Sequence, residues 1–322
     1  MSFLIQFLPF IFIALVANFG ERYPAARPLV YILHLLLNSL VAMMGALFIV
    51  LGYLSPKMAS APTGLTSPQA AVSLGALLIT CAVLATTPLF SAVRRLLAHF
   101  LPINPHSLMD MTALVFATYL GGISLGQALI FGTEVFEVDL GVGWLTPEAI
   151  VVSGGAFLIL AVVGVGWGIR RGWRDAVERL GIGTLTWRQV ALCAGFVVLL
   201  LVLDHTTSEV WALIDPQGHA QIMDLTDRLF GPFANPAGAL LIGITAGVGE
   251  ETLFRGALQP RLGLPLTSLL FALAHVQYGL SPATLEIFIL AIVLGWVRRR
   301  MNTSACILIH FAFNTIGLLL PT

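Results

Sequence analysis

Charge is what this sequence has least of. Lys, Arg, Asp and Glu make up 10% of its 322 residues, acids and bases are equal in number, and 58% of the chain is hydrophobic. Mean hydropathy is +0.94. A soluble domain has no way to bury that much apolar surface, so the composition excludes a water-soluble globular protein and predicts a polytopic membrane protein. Zero net charge and a pI near 7.1 leave no electrostatic footprint for nucleic acid. Cysteine is scarce too. Cys81, Cys193 and Cys306 lie in separate apolar segments with neither paired nor metal-type spacing, which predicts small packing residues. Residues 1–19 lack the basic region and small-residue cleavage site of a secretory leader, so a retained first helix is expected. There is no low-complexity tract and no solenoid period.

What is present is a series of apolar runs, at 3–19, 29–53, 70–93, 111–131, 149–169, 189–213, 237–259, 264–278, 282–297 and 303–319. About 20 residues at roughly 1.5 Å rise span a hydrocarbon core. The first seven runs meet that length or nearly so, and the last three are short. The expected fold is an all-α transmembrane bundle of eight to ten spans, ten preferred. The loop charges alternate in step with ten. Basic residues dominate the odd connections (Arg22 and Arg27; Arg94 and Arg95; Arg170 to Arg188; Arg255 and Arg261; Arg298 to Arg300). The even ones carry Lys57, four acids between 132 and 148, Arg228 against three aspartates, or no charge. The positive-inside rule then predicts odd connections in the cytoplasm and both termini outside it. Residues 170–188 read as a Trp-anchored interfacial helix closed by Gly181, with a Thr cap before the next span. Gly122-xxx-Gly126, Gly154-Gly155 and Gly164/Gly166/Gly168 read as helix-packing positions, and His34, Asn38 and Gln127 as interhelical hydrogen-bonding groups.

Carboxylates divide the chain. The first five apolar runs have none in their interiors, whereas the later ones hold Asp204, Glu209, Glu250, Glu251 and Glu286. This places a boundary near residue 185, with an N-terminal membrane module of about five helices over 1–185 and a functional core over 186–322. Asp204, His205 and Glu209 are expected at an interface, and Glu286 at the site cavity or the outer interface. Within Gly247 to Gly256 three charges fall in six residues, Glu250, Glu251 and Arg255, in a stretch that is otherwise hydrocarbon. Ionisable groups there are costly and mark functional sites. Glu251 and Arg255 are i,i+4, which pairs them on a helix and leaves Glu250, about 100° away, free for chemistry. The bland alternative is an ion pair snorkelling from a helix end. His275 sits four residues after Phe271, and His310 four before Asn314. At roughly 1.5 Å per residue these groups reach a similar depth between one interface and the midplane.

A carboxylate and an imidazole in low dielectric can activate water, while a second imidazole and an amide can stabilise an oxyanion. No serine or cysteine is evidently paired with a base. Glu250, His275 and His310 could also hold zinc, although the helical His-Glu-x-x-His signature is absent.

These three ordered motifs, Glu250-Glu251-x-x-x-Arg255, Phe271-x-x-x-His275 and His310-x-x-x-Asn314, resemble the CPBP intramembrane endopeptidases, also called Abi, the family of the type II CAAX prenyl protease. The resemblance spans about 190–319. It implies peptide-bond hydrolysis inside the membrane, with Glu250 as base, His275 helping to hold the water, His310 and Asn314 as the oxyanion hole, and Glu251, Arg255 and Phe271 in support. The family is commonly labelled metalloprotease, and a glutamate-dependent route without metal fits the motifs as well. The implied partners are a membrane peptide or lipid-modified protein and the bilayer, and the expected seat is a bacterial inner membrane with the site towards the cytoplasm. The chain carries no CAAX box of its own. Two other classes fit the composition: a catalytically silent scaffold or immunity-type protein, and a proton-coupled transporter, for which the internal repeats are missing.

Overall fold

The computed structural model describes residues 2–54, 67–131 and 145–320, with backbone only at 2–5 and 131. It is helical throughout and the described residues form no strand. Every apolar run is a helix. In order they are α1 (Ser2–Arg22), α2 (Arg27–Leu54), α3 (Pro68–Thr86), α5 (Leu108–Phe131), α6 (Pro147–Gly164), α8 (Trp187–Ile214), α10 (Pro236–Glu251, running on to Leu262), α11 (Leu264–Leu273), α12 (Pro282–Arg300) and α13 (Thr303–Leu319). Three more helices join them: α4 (Ser91–Leu97), α7 (Trp173–Leu180) and α9 (Pro216–Phe230).

Local chemistry explains where these helices begin. Ser67, Thr146, Asp215 and Asn235 each accept a backbone N–H of the first turn, and each is followed by proline. The side chain fills an orphan donor while proline removes another. Thr186 opens α8 with a full capping box to Gln189. Helix α7 ends on Gly181 in the left-handed region, as its sequence predicts.

Among the described residues six helices are long and apolar enough to cross a membrane: α2, α3, α5, α6, α8 and α10. In α2 and α8 only 17% of the apolar window is buried, so most of their surface is left for lipid. Helix α11 has 10 residues, about half a hydrocarbon thickness at the usual rise. The run expected over 264–278 therefore ends early. The expected loop at 214–236 is instead mostly α9, whose polar sequence hides it from hydropathy.

The odd-numbered connections gather at one end. Arg22 donates to the Ile169 carbonyl, Ser107 to Glu21 at 2.6 Å, Arg261 pairs with Asp110, and Thr303 N–H reaches Gly181 at 2.8 Å. Connections one, three, five, seven and nine are thus tied together. The Lys57 connection (residues 55–66) and the acidic one as far as residue 144 lie outside the described residues.

Packing between halves is tight. Helix α6 lies on α10, where a Cβ on Gly249 would stand 2.6 Å from the Gly154 carbonyl oxygen. Gly249→Ala is expected to cost about 1–3 kcal/mol through overpacking, read as a lower thermal midpoint in detergent. Gly155→Ala, which meets open space, should leave the midpoint in place. Gly122 and Gly126 pack on Cys81 and Leu77 of α3. The third glycine set differs from expectation. Helix α6 stops at Gly164, and Gly166 and Gly168 adopt positive φ (91° and 74°) in the turn beyond it, so they reverse the chain rather than seat a helix.

His34 Nε2 meets Thr112 Oγ1 at 3.0 Å, and Asn38 joins Thr86 and Tyr119, as interhelical bonds. No hydrogen bond engages Gln127 among the described residues. All three cysteines are free and buried.

Candidate active site

Helix α10 carries the first motif, and it does not stay α-helical. After Glu251 the backbone widens into a π-helical stretch, Thr252–Leu258, and then returns to α through Gln259–Leu262. Such a stretch moves the downstream helix out of phase by about one residue and is common at functional sites. It turns Arg255 inward. Glu251 and Arg255 are 0% and 1% exposed, which rules out the snorkelling alternative and removes Arg255 from the loop charges. Arg255 Nε stands 3.3 Å from Glu251 Oε2 as an ion pair but out of line for a hydrogen bond, and Nη1 has no acceptor among the described residues. The guanidinium lies 4.4 Å from the centre of the Phe271 ring and reaches the Ala291 carbonyl at 3.5 Å.

Phe271 is the hub of the site. Its ring is edge-on to Phe254 at 5.1 Å, and it lies 5.0 Å from His275 and 5.9 Å from His310. One aromatic ring on α11 thus holds the groups of all three motifs in contact.

His310, on α13, is buried and donates from Nδ1 to Glu251 Oε1 at 2.9 Å. With that nitrogen committed, Nε2 is the atom left for chemistry. To donate from Nε2 the ring must carry both protons, and the Glu251 carboxylate is the counter-ion that suits it. Asn314 lies one turn later on the same helix, half-buried, with no hydrogen bond among the described residues.

His275 departs from expectation in placement. Helix α11 ends at Leu273, and His275 lies just past it with φ −92° and ψ 48°. Its Nδ1 donates to the Phe271 carbonyl at 2.9 Å, satisfying an orphan carbonyl at the helix end. That bond fixes the tautomer, so Nε2 keeps its lone pair when the ring is neutral. Glu250 is half-buried, and no ion pair or hydrogen bond engages it among the described residues. It stands within electrostatic reach of His310, as His275 does of Glu251.

The zinc alternative meets a geometric difficulty. Among the described residues no three His, Cys, Asp or Glu side chains are close enough to share a metal ion, so Glu250, His275 and His310 do not form a ready ligand set.

Two further polar pairs could not be read from spacing. Asp204 on α8 and Glu286 on α12 are close enough to act on each other. Each was a carboxylate without a partner on its own helix, which is the signal that could have joined them. Ser208 meets His219 Nε2 at 2.8 Å between α8 and α9, and the His219 ring is edge-on to Trp211 at 5.5 Å. No carboxylate orients the other nitrogen of His219 among the described residues, so the pair fits a helix clamp better than a nucleophile.

Residues 232–316 match the family model described as type II CAAX prenyl endopeptidase Rce1-like. The matched segment holds all seven residues of the three motifs, from Glu250 to Asn314. No curated protein and no solved structure matches the chain.

Proposed function

We propose that this multi-pass membrane protein is an intramembrane endopeptidase that hydrolyses a peptide bond with water activated by Glu250 and His275. The observation that carries the proposal is the 2.9 Å bond from His310 Nδ1 to the fully buried Glu251. It holds one imidazole as a charged donor beside a second imidazole whose Nε2 is an acceptor. That is the donor and acceptor division which addition of water to a carbonyl needs.

In this mechanism the Glu250 carboxylate takes a proton from water, with His275 Nε2 accepting the water's second hydrogen bond. The hydroxide adds to the scissile carbonyl carbon. His310 Nε2–H and the Asn314 side-chain amide receive the oxyanion. When the tetrahedral intermediate collapses, the C–N bond breaks and Glu250 returns its proton to the leaving amine. Glu251 and Arg255 do not touch substrate; they hold His310. The 1–185 segment supplies α6, which packs on α10, and so serves as a buttress for the core over 186–322. The substrate is a membrane peptide or lipid-modified protein, the seat a bacterial inner membrane, and the site opens toward the cytoplasm. No metal takes part.

The test is cleavage of a membrane-inserted peptide by purified protein in bilayers. His275→Ala is expected to lower turnover by about 10²–10⁴-fold. Exhaustive treatment with a chelator should leave wild-type turnover intact. Equal cleavage by wild type and His275→Ala would refute the assignment of His275, and loss of activity restored by added zinc would refute the metal-free route.

A further inference from the structure

Four arginines at one end of the bundle form no ion pair among the described residues. Arg170 and Arg171 come just after α6, Arg179 lies on α7, and Arg298 is in the last turn of α12. Their partners are neutral. Arg170 Nε donates to Asn18 Oδ1 at 2.7 Å, Arg171 to the Val165 carbonyl, and Arg179 Nη1 to the Gly256 carbonyl at 3.4 Å. Arg298 lies against Gly181, where any Cβ would strike its guanidinium.

The carboxylates that reach this corner from α1 and α5 are already engaged, and Asp175 and Glu178 of α7 are exposed and form no ion pair with the four arginines among the described residues. Asp110 pairs with Arg261 through one oxygen and accepts the Asn104 N–H at 2.7 Å through the other. Glu21 accepts from Ser107 and from the Met109 N–H. Among the described residues no ion pair reaches Arg170, Arg171, Arg179 or Arg298. A solvated basic face would leave its nitrogens in water. Here Arg170 Nη2 and Arg298 Nε are shielded from solvent and lack any partner. The crowding is felt as charge. Burial above all, then the neighbouring Arg261 and Arg171, push Arg179 down to about 10, against the opposing pull of Asp110. Burial and Arg171 also lower Arg170.

We propose that this arginine corner binds a phosphate-type anion, with the phosphodiester of an anionic lipid headgroup as the source a membrane supplies. Guanidinium groups grip phosphate oxygens in parallel pairs, and unpaired ones gathered at one end of a bundle favour an anion over a neutral ligand. The exposed Trp167 and Trp173, edge-on to each other at 5.4 Å, flank the corner with the side chains that prefer headgroup depth. A bound headgroup would tie α7 to the ends of α6 and α12. Helix α7 in turn backs the π-helical stretch, where a Cβ on Gly256 would stand 3.0 Å from the Leu180 carbonyl oxygen.

The test uses the full chain in neutral detergent. Thermal unfolding is measured with phosphatidylglycerol, with phosphatidylcholine, or with inorganic phosphate against chloride at equal ionic strength. Phosphatidylglycerol at saturation is expected to raise the wild-type midpoint by roughly 3–8 °C and phosphatidylcholine by much less. The rise should vanish in Arg170→Gln/Arg298→Gln and persist in Arg299→Gln/Arg300→Gln, whose arginines are exposed. The first double variant should unfold no earlier than wild type without lipid, since it removes unbalanced buried charge. A response to inorganic phosphate as well would assign the site to the free anion, and a response to lipid alone to the headgroup. Should that variant fail to fold, native mass spectrometry of the wild type decides, with preferential retention of phosphatidylglycerol expected. No wild-type response to any anion, equal response to both lipids, equal retention of both, or equal loss in the two double variants would overturn the proposal.

Discussion

Glu250→Gln is expected to lower peptide-bond turnover by about 10²–10⁴-fold while leaving the thermal midpoint near that of wild type. The two halves of that result have separate causes. Glutamine has almost the shape of glutamate, and no ion pair or hydrogen bond engages Glu250 among the described residues, so little of the fold depends on its charge. The chemistry does, because an amide cannot take a proton from water. Side-by-side measurement of cleavage and thermal unfolding separates the roles. A variant that unfolds early would make Glu250 structural, and one that cleaves at the wild-type rate would remove it from the reaction.

Its neighbour should give the opposite signature. Glu251→Gln is expected to destabilise the protein by about 3–5 kcal/mol and to abolish cleavage with it. Glu251 is fully buried between the Arg255 guanidinium and the His310 ring, at 3.3 Å and 2.9 Å. Glutamine can still accept from His310 but leaves Arg255 as an uncompensated charge inside the bundle. The Phe271 face softens this cost without removing it. The double variant Glu251→Gln/Arg255→Met removes the stranded charge and should recover most of the stability. It should not recover activity, because His310 would still lack the anion that keeps it doubly protonated. Equal midpoints for wild type and Glu251→Gln would refute the buried pair. Recovered cleavage in the double variant would refute the role given to Glu251 in holding His310.

Adjacent carboxylates acquire opposite variant signatures through helix phase, and that phase was legible in the sequence. Residues one apart point about 100° away from each other, and residues four apart meet. The pairing of Glu251 with Arg255, and the release of Glu250 from it, followed from that spacing, although the π-helical stretch that carries Arg255 did not. The helix in each apolar run came the same way, since backbone in lipid must satisfy itself within its own segment, whereas the polar helix α9 did not show in hydropathy. The caps at Thr146, Thr186 and Asn235 are likewise local.

The tertiary structure decided whatever depends on which helices are neighbours. Glu251 and His310 are 59 residues apart, and their bond exists because α13 packs on α10 across close glycine contacts at Gly243 and Gly247. The π-helical stretch, the end of α11 before His275 and the meeting of Asp204 with Glu286 left no trace in hydropathy, which counts apolar residues and is blind to their partners. The arginine corner shows the same division. The sequence determined that basic residues belong to odd-numbered connections. Only the fold brought four of them together after Asp110 and Glu21 had already been taken, because the ion pairs of a bundle are allotted by proximity in space.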